Sequence, residues 1–137
     1  MSVPVPQRGH GELEVNTKAR ELAVYTFRIV ANDKWFPTSQ RAFVVKLQTC
    51  VLEIATLCWD ANSIKVDDNI DRYRRRISLQ EQAAEQCNRM MLLIEIAKPL
   101  FHLKSTRVRY WIGMARDLRA MIRAWSDKDA KRLLPKV

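Results

Sequence analysis

Apolar residues recur at intervals of three and four along most of the chain, a spacing that places them on one face of an α-helix. The pattern predicts four helices, which run from about Asn16 to Ala31, Thr38 to Asn62, Asp67 to Pro99 and Ser105 to Trp125. The predicted core positions are Ala19, Leu22, Thr26 and Ile29 in the first helix; Phe43, Leu47, Cys50, Ile54 and Cys58 in the second; Ile70, Tyr73, Ile77, Ala84, Cys87, Met91 and Ile94 in the third; and Val108, Trp111, Ala115, Leu118, Ile122 and Trp125 in the fourth. Valine and isoleucine do not alternate with polar residues, so no strand is predicted.

The connectors between these helices are short. A short connector makes the next helix return beside its predecessor, so the sequence predicts an all-α fold, an antiparallel up-down-up-down four-helix bundle. The bundle is expected to span residues 16–126. Residues 1–15 are expected to form a flexible N-terminal tail, and residues 127–137 a basic C-terminal tail in which a short helix after Ser126 stays open.

Charge narrows the class of partner. The 137 residues suffice for one domain with its own core, and their net charge of +9 predicts attraction to polyanions. Nucleic acid is the commonest such partner, but an anionic membrane surface or an acidic protein would satisfy the same charge. The sequence begins without an apolar leader, and Lys46, Gln48 and Glu53 interrupt its longest apolar stretch. We therefore expect a cytoplasmic protein without a membrane span.

Residues suited to catalysis are sparse. His10 and His102 are the two histidines, and neither can be paired with a nucleophile or placed in a di-iron motif. Glu53 is interpreted as a polar residue at the edge of the second helix, and the three glycines do not form a phosphate loop. Cys50, Cys58 and Cys87 lack metal-ligand spacing and are interpreted as small buried hydrophobic residues in a reducing compartment. The sequence predicts no enzyme, cofactor or metal.

The run DRYRRRI, residues 71–77, places four arginines around one tyrosine near the start of the third helix. At about 100° per residue, Tyr73 faces the core whereas three of the arginines point outward. These three are Arg72, Arg75 and Arg76. Asp68 and Asp71 precede the first two by four residues, the order that favours ion pairs within a helix. The run is therefore either a phosphate contact or a solvated helix face, and the pattern leaves both open.

A second basic feature lies on the fourth helix. Arg109, Arg116 and Arg123 follow one another at intervals of seven, and Arg119 falls on the same flank. At a rise of 1.5 Å per residue they form a stripe about 20 Å long. Asp117 is expected on the opposite flank, which would leave the stripe without a carboxylate partner. Unpaired like charges cost stability, so an external anion is favoured over a solvated face, with contacts to the nucleic-acid backbone and not to the bases.

The second helix carries more apolar surface than one core face needs. Beside its core stripe, Val45, Leu52 and Trp59 recur at intervals of seven, and Val44 and Ala55 widen the arc. A sizeable exposed apolar patch usually marks an interface, so this seam favours self-association. The alternative is that the first helix or the N-terminal tail covers the seam within one chain.

Four segments resemble a known family. They are the connector WFP, the run RAFVVKLQTCVLEIATLCWDAN that starts at Arg41, the run LIEIAKPLFHLKSTRVRYWIGM, and the late IRAW. Across about Thr17 to Trp125 the chain resembles the accessory variability determinants of diversity-generating retroelements. These bundle proteins are related in fold to proteins encoded in intervening sequences of ribosomal RNA genes. The second helix lacks the small residues usual in that latter branch, which favours the retroelement branch.

The resemblance implies a homopentameric barrel with a positive surface, which binds RNA and DNA and associates with a reverse transcriptase during error-prone copying. It implies no catalytic residue and no cofactor. The family's contacts are dispersed basic residues, so only charge carries over to particular positions. Those positions are Arg72, Arg75, Arg76, Arg109, Arg116, Arg119 and Arg123.

Other functions stay open. A structural adaptor could dock an acidic protein on the same basic face, and an intervening-sequence type of bundle would share the fold. A bundle enzyme that binds a metal or a small molecule would need inward polar groups, which the predicted core hardly supplies. Salt-dependent binding of nucleic acid would separate the first of these from the retroelement interpretation.

Overall fold

The computed structural model describes the backbone of residues 4–136 and the side chains of residues 14–135. Within that part the chain is all-helical and contains no strand, which confirms the predicted class. The four α-helices are α1 (Pro4–Val30), α2 (Arg41–Ser63), α3 (Ile70–Phe101) and α4 (Ser105–Leu133), with short 3-10 turns at Thr38–Gln40 and Leu134–Lys136.

Each helix packs against two others. Helices α1 and α3 both contact α2 and α4, so the four enclose a single apolar core. The core positions predicted for α1 and α4 are all buried, as are four of the five in α2. Phe43 is the exception and lies partly buried at the end of the bundle, where its ring is 5.8 Å from that of Phe101.

Helix α3 turns a partly polar face to the core. Arg76 and Gln80 are 3% and 0% exposed, whereas Ile70, Ile77 and Met91, which the pattern placed in the core, are only partly buried. The buried face includes Tyr73, Arg76, Gln80, Ala83, Ala84, Cys87, Met90 and Ile94. The expectation that Arg76 points outward is therefore wrong.

Arg76 is held by a buried network that joins three helices. Its Nε donates to Asp129 Oδ2 of α4 at 2.6 Å, and its Nη1 donates to the carbonyl oxygen of Ile64, just after α2, at 2.9 Å. Gln80 Nε2 donates to the same Asp129 oxygen at 2.7 Å. The guanidinium also lies 5.2 Å from the centre of the Trp125 ring. The network fixes the start of α3 against the end of α4.

The helix ends differ from the predicted bounds. Helix α4 continues past Trp125 to Leu133, so most of the segment expected to be a basic tail is helical. Asp129 is buried against α3, which explains why the helix persists through a run of charged residues. Helix α1 begins at Pro4, within the segment that was predicted to be a flexible tail. Residues 1–3 of that segment lie outside the described residues.

Helix α3 has a defined cap at each end. The Asn69 side chain accepts the backbone N–H of Arg72 at 3.1 Å, which satisfies one of the free donors of the first turn. The helix runs two residues past Pro99 and stops at His102, which adopts a left-handed conformation with φ of 54°. The backbone N–H groups of His102 and Leu103 both donate to Lys98 O, and the chain then turns into α4.

The segment Thr38–Ser63 is long and apolar enough to cross a membrane, with a mean hydropathy of 1.5. In the structure it contributes buried residues to the shared core, including Leu47, Val51 and Ile54. A core helix of a globular domain meets the same length and hydropathy criterion, so this finding does not favour a membrane.

Candidate nucleic-acid interface

Helix α4 concentrates the positive charge. It carries eight arginines and lysines against three aspartates, and one of those aspartates, Asp129, is buried. Arg109, Arg116 and Arg123 are exposed along its length, as the spacing of seven predicted. Arg119 is only partly exposed because its guanidinium donates to Asn88 Oδ1 on α3. The predicted stripe therefore exists as three exposed guanidinium groups and one that is tied to the neighbouring helix.

The stripe has carboxylates nearby, contrary to the expectation. Arg116 Nε lies 3.5 Å from Asp117 Oδ1, although both side chains are largely exposed and the pair contributes little. Arg123 lines a groove of about 510 Å³ between α3 and α4 together with Glu81, Glu85 and Asp127. These carboxylates come partly from α3, so counting residues along α4 alone could not find them.

The DRYRRRI run is divided by the fold. Arg72 is exposed and pairs with Asp67 at 3.0 Å, a partner that the spacing of four did not predict. Arg75 is exposed. Arg76 is buried in the ion pair with Asp129 and cannot reach an external phosphate, which removes it from the predicted nucleic-acid surface.

One end of the bundle gathers basic residues from two helices. Because Arg76 of α3 contacts Asp129 of α4, the residues beside each of them lie at the same end. The exposed ones are Arg72, Arg74, Arg75, Lys128, Lys131 and Arg132. The sequence pattern assigned them to two separate features, since the two segments are more than fifty residues apart and no local pattern links them.

The apolar seam of α2 is exposed. Val45, Leu52 and Trp59 are 43%, 50% and 63% exposed, so α1 packs beside the seam without covering it. The alternative of a covering N-terminal tail concerns side chains 1–13, which lie outside those described. Leu52 and Trp59 line one wall of an apolar groove of about 730 Å³ between α2 and α1. From here on we call this the α1/α2 groove, lined by Asn16, Arg20, Ala23, Val24, Phe27, Arg28, Ala31, Leu52, Ala55, Thr56 and Trp59.

A second exposed apolar surface lies on α3 and was missed in the sequence. Leu92, Ile96 and Leu100 are 57%, 43% and 39% exposed and recur every four residues, so they form a row on the outer side of the helix. We call it the α3 row. The spacing of four was visible in the sequence. It was missed because the apolar residues of α3 were all considered as core candidates, and this outward-facing set was not distinguished from them.

The buried groups offer little for catalysis. Burial raises the pKa of the Cys50 thiol to about 11 and that of Cys58 to about 12, and it raises the pKa of Cys87 further. Thiols protonated at neutral pH are poor nucleophiles and poor metal ligands. Among residues 14–135, no three His, Cys, Asp or Glu side chains lie close enough to hold a metal ion. The buried hydroxyl of Thr26 is already hydrogen-bonded, because it accepts the Trp111 Nε1–H at 3.0 Å.

Comparisons with known proteins found no match. No protein-family model matches the chain, and no curated protein and no solved structure matches it either. The residues themselves therefore carry the functional argument.

Proposed function

We propose that this protein is a non-catalytic, oligomeric nucleic-acid-binding protein that contacts the phosphate backbone of RNA or DNA. We further propose that it serves the reverse transcriptase of a diversity-generating retroelement as an accessory protein in the cytoplasm. The resemblance in the connector, α2, the turn between α3 and α4, and the end of α4 supports this more specific assignment. A reverse-transcriptase gene and a repeat pair beside its gene would be expected.

The row of exposed arginines on α4 carries the proposal. Arg109, Arg116 and Arg123 stand about 10 Å apart along the helix, at a rise of 1.5 Å per residue. Arginine donates several N–H groups in a planar fork that suits phosphate oxygens. The exposed pair of Arg116 with Asp117 is weak enough to yield to a phosphate. The net charge of +9 would attract a polyanion to the protein and speed its association.

The basic end of the bundle continues this surface. Lys128, Lys131 and Arg132 extend the charge of α4 beyond Arg123, and α3 brings Arg72 and Arg75 beside them. Arg72 is already paired with Asp67, so it is expected to contribute less than the arginines of α4. Contacts spread over such a surface read no base sequence.

The finer architecture belongs to the same proposal. Short connectors and the ring of helix contacts support an antiparallel up-down-up-down bundle. The exposed apolar surfaces on α2 and α3 support self-association, and the resemblance implies a homopentamer. An assembly of several copies would repeat the arginine row and bind a long polyanion more tightly than one copy.

The test measures how binding depends on salt. The triple variant Arg109→Gln, Arg116→Gln, Arg123→Gln is compared with wild type by fluorescence anisotropy, on RNA and DNA oligonucleotides of unrelated sequence. Affinity should fall on all of them. The plot of log affinity against log salt should flatten by up to about 0.9 for each DNA phosphate that the variant no longer neutralises.

Two control variants separate local contact from net charge. The change Arg72→Gln, Arg75→Gln should cost less than the triple variant, because Asp67 already occupies Arg72. The change Arg41→Gln, Lys46→Gln, Lys98→Gln also removes three positive charges, but from exposed positions on α2 and α3. It should leave the slope of log affinity against log salt nearly unchanged. Equal slopes for wild type and the α4 variant, with helical content and oligomer mass unchanged, would reject the α4 row as the binding surface.

A further inference from the structure

We propose that the α1/α2 groove of one copy receives the α3 row of the next copy, so that the protein assembles head to tail. This inference rests on the self-association in the proposed function and names the two surfaces that meet. It does not depend on whether nucleic acid binds.

The groove has the form of a receptor for an apolar ridge. Its floor and walls are mostly apolar, and Leu52 and Trp59 lie half or more exposed along one wall. Val24 and Phe27 of α1 form the facing wall. Leu52 and Trp59 are seven residues apart, which makes this wall about 10 Å long at 1.5 Å per residue.

The α3 row has the matching form of a ridge. Leu92, Ile96 and Leu100 project from one helix and span eight residues, or about 12 Å. An apolar helix face laid in an apolar groove is a common mode of recognition, with anchors at intervals of three or four residues. The length of the ridge therefore fits the length of the groove.

The two surfaces also differ in charge. The groove is lined by Arg20 and Arg28 and by no carboxylate. From Glu81 to Leu100, α3 carries three exposed glutamates, Glu81, Glu85 and Glu95, and two exposed bases, Arg89 and Lys98, so its charges nearly balance. Groove against groove would bring four arginines together without a carboxylate. A row flanked by Glu95 and by nearly balanced charges avoids this repulsion, which favours groove against row.

The surfaces are separated on each copy. Between the seam of α2 and helix α3, the outer face of α2 presents exposed polar side chains, which include Lys46, Thr49, Glu53 and Asp60. The α3 row of one copy therefore cannot reach the α1/α2 groove of the same copy. Each copy offers one groove and one row, so such contacts run head to tail and end only when a ring closes.

The test uses two variants that each block one surface. Leu52→Glu places a charge in the groove, and Ile96→Glu places a charge in the row; both sites are about half exposed, so the fold should tolerate them. By light scattering, wild type should be an assembly of several copies of 16.0 kDa, and each variant alone should be a monomer. An equimolar mixture should form a one-to-one dimer, because one intact groove meets one intact row and both remaining surfaces are blocked.

The controls exclude general loss of stability. Trp59→Glu mixed with Leu92→Glu should also form a dimer, and Thr49→Glu, on the polar face of α2, should assemble as wild type does. A wild-type monomer would overturn the inference, as would an Ile96→Glu protein that still assembles, or mixed variants that stay monomeric. Anisotropy with nucleic acid on the same samples reports the proposed function separately, since the α4 arginines are intact in every variant.

Discussion

Asp129→Ala should destabilise the protein more than any exposed substitution on α4. Asp129 is fully buried, and one of its oxygens accepts hydrogen bonds from both Arg76 and Gln80. Alanine removes this carboxylate and leaves a guanidinium that is only 3% exposed. The guanidinium keeps other contacts, among them the Ile64 carbonyl at 2.9 Å and the Trp125 ring, but it loses the carboxylate on α4.

The expected cost follows from the burial of both charges. Removing one partner of a buried ion pair typically costs about 3–5 kcal/mol, because the other charge stays buried without it. A domain of this size is stable by roughly 5–15 kcal/mol, so the loss would be a large fraction of the total. With a denaturant dependence of about 2 kcal/mol per molar urea, the unfolding midpoint should fall by about 2 M.

The assay is urea unfolding followed by circular dichroism at one fixed protein concentration, because assembly also contributes to stability. The matched control is Asp127→Ala, which removes an exposed carboxylate two residues earlier on the same helix and should change stability by less than about 0.5 kcal/mol. The combined change Arg76→Met, Gln80→Leu, Asp129→Leu replaces the whole network by apolar side chains. It should recover most of the loss, because the buried guanidinium, amide and carboxylate are removed together.

Equal urea midpoints for Asp129→Ala and Asp127→Ala would refute this reasoning. A combined apolar variant that is less stable than Asp129→Ala would refute it too, since the cost would then come from poorer packing and not from a buried charge that has lost Asp129.

Two further predictions concern the cysteines and the end of α3. Burial raises the pKa of Cys50 to about 11 and that of Cys58 to about 12 from an ordinary value of 9.0, so a thiol reagent at pH 8 should leave Cys50, Cys58 and Cys87 unmodified until urea is added. The unfolded thiols ionise first, so the free energy of unfolding should fall as the pH rises above about 9; fast labelling of the folded protein would contradict the burial. His102→Gly should raise the urea midpoint by the equivalent of about 0.5 kcal/mol, since glycine adopts a φ of 54° without strain. His102→Ala should give no gain, and an equal gain would assign the effect to loss of the imidazole.

The periodic part of the sequence predicted the fold well. In α4, every predicted core residue from Val108 to Trp125 is buried, because an apolar stripe on a polar helix has one stable orientation. The helix ends were harder. The run after Trp125 resembles a charged tail, and its reason for folding is a contact with Arg76, 53 residues earlier in the chain.

The same limit applies to the candidate site. Arg109, Arg116 and Arg123 were correctly placed on the surface, since they lie away from the apolar stripe of their own helix. Arg76 was misplaced because the core face of α3 passes through polar residues, and apolar spacing alone pointed to Ile77 instead. A buried charge is identified by its partner, and that partner lies on another helix.

The position of Asp129 has a consequence for mapping experiments. Lys128 is exposed and directly precedes Asp129, so a trypsin-like protease that cut there would take away the carboxylate that neutralises Arg76. A deletion that began after Trp125 would do the same. Either treatment would remove basic residues and also destabilise the bundle. A loss of binding caused by unfolding would then be mistaken for the loss of a phosphate-binding residue. Point substitutions of Lys128 and Lys131 keep Asp129 and its partners in place and separate the two effects. Arg132 is left unchanged in this test, because its Nη1 lies 3.7 Å from Asp129 Oδ1.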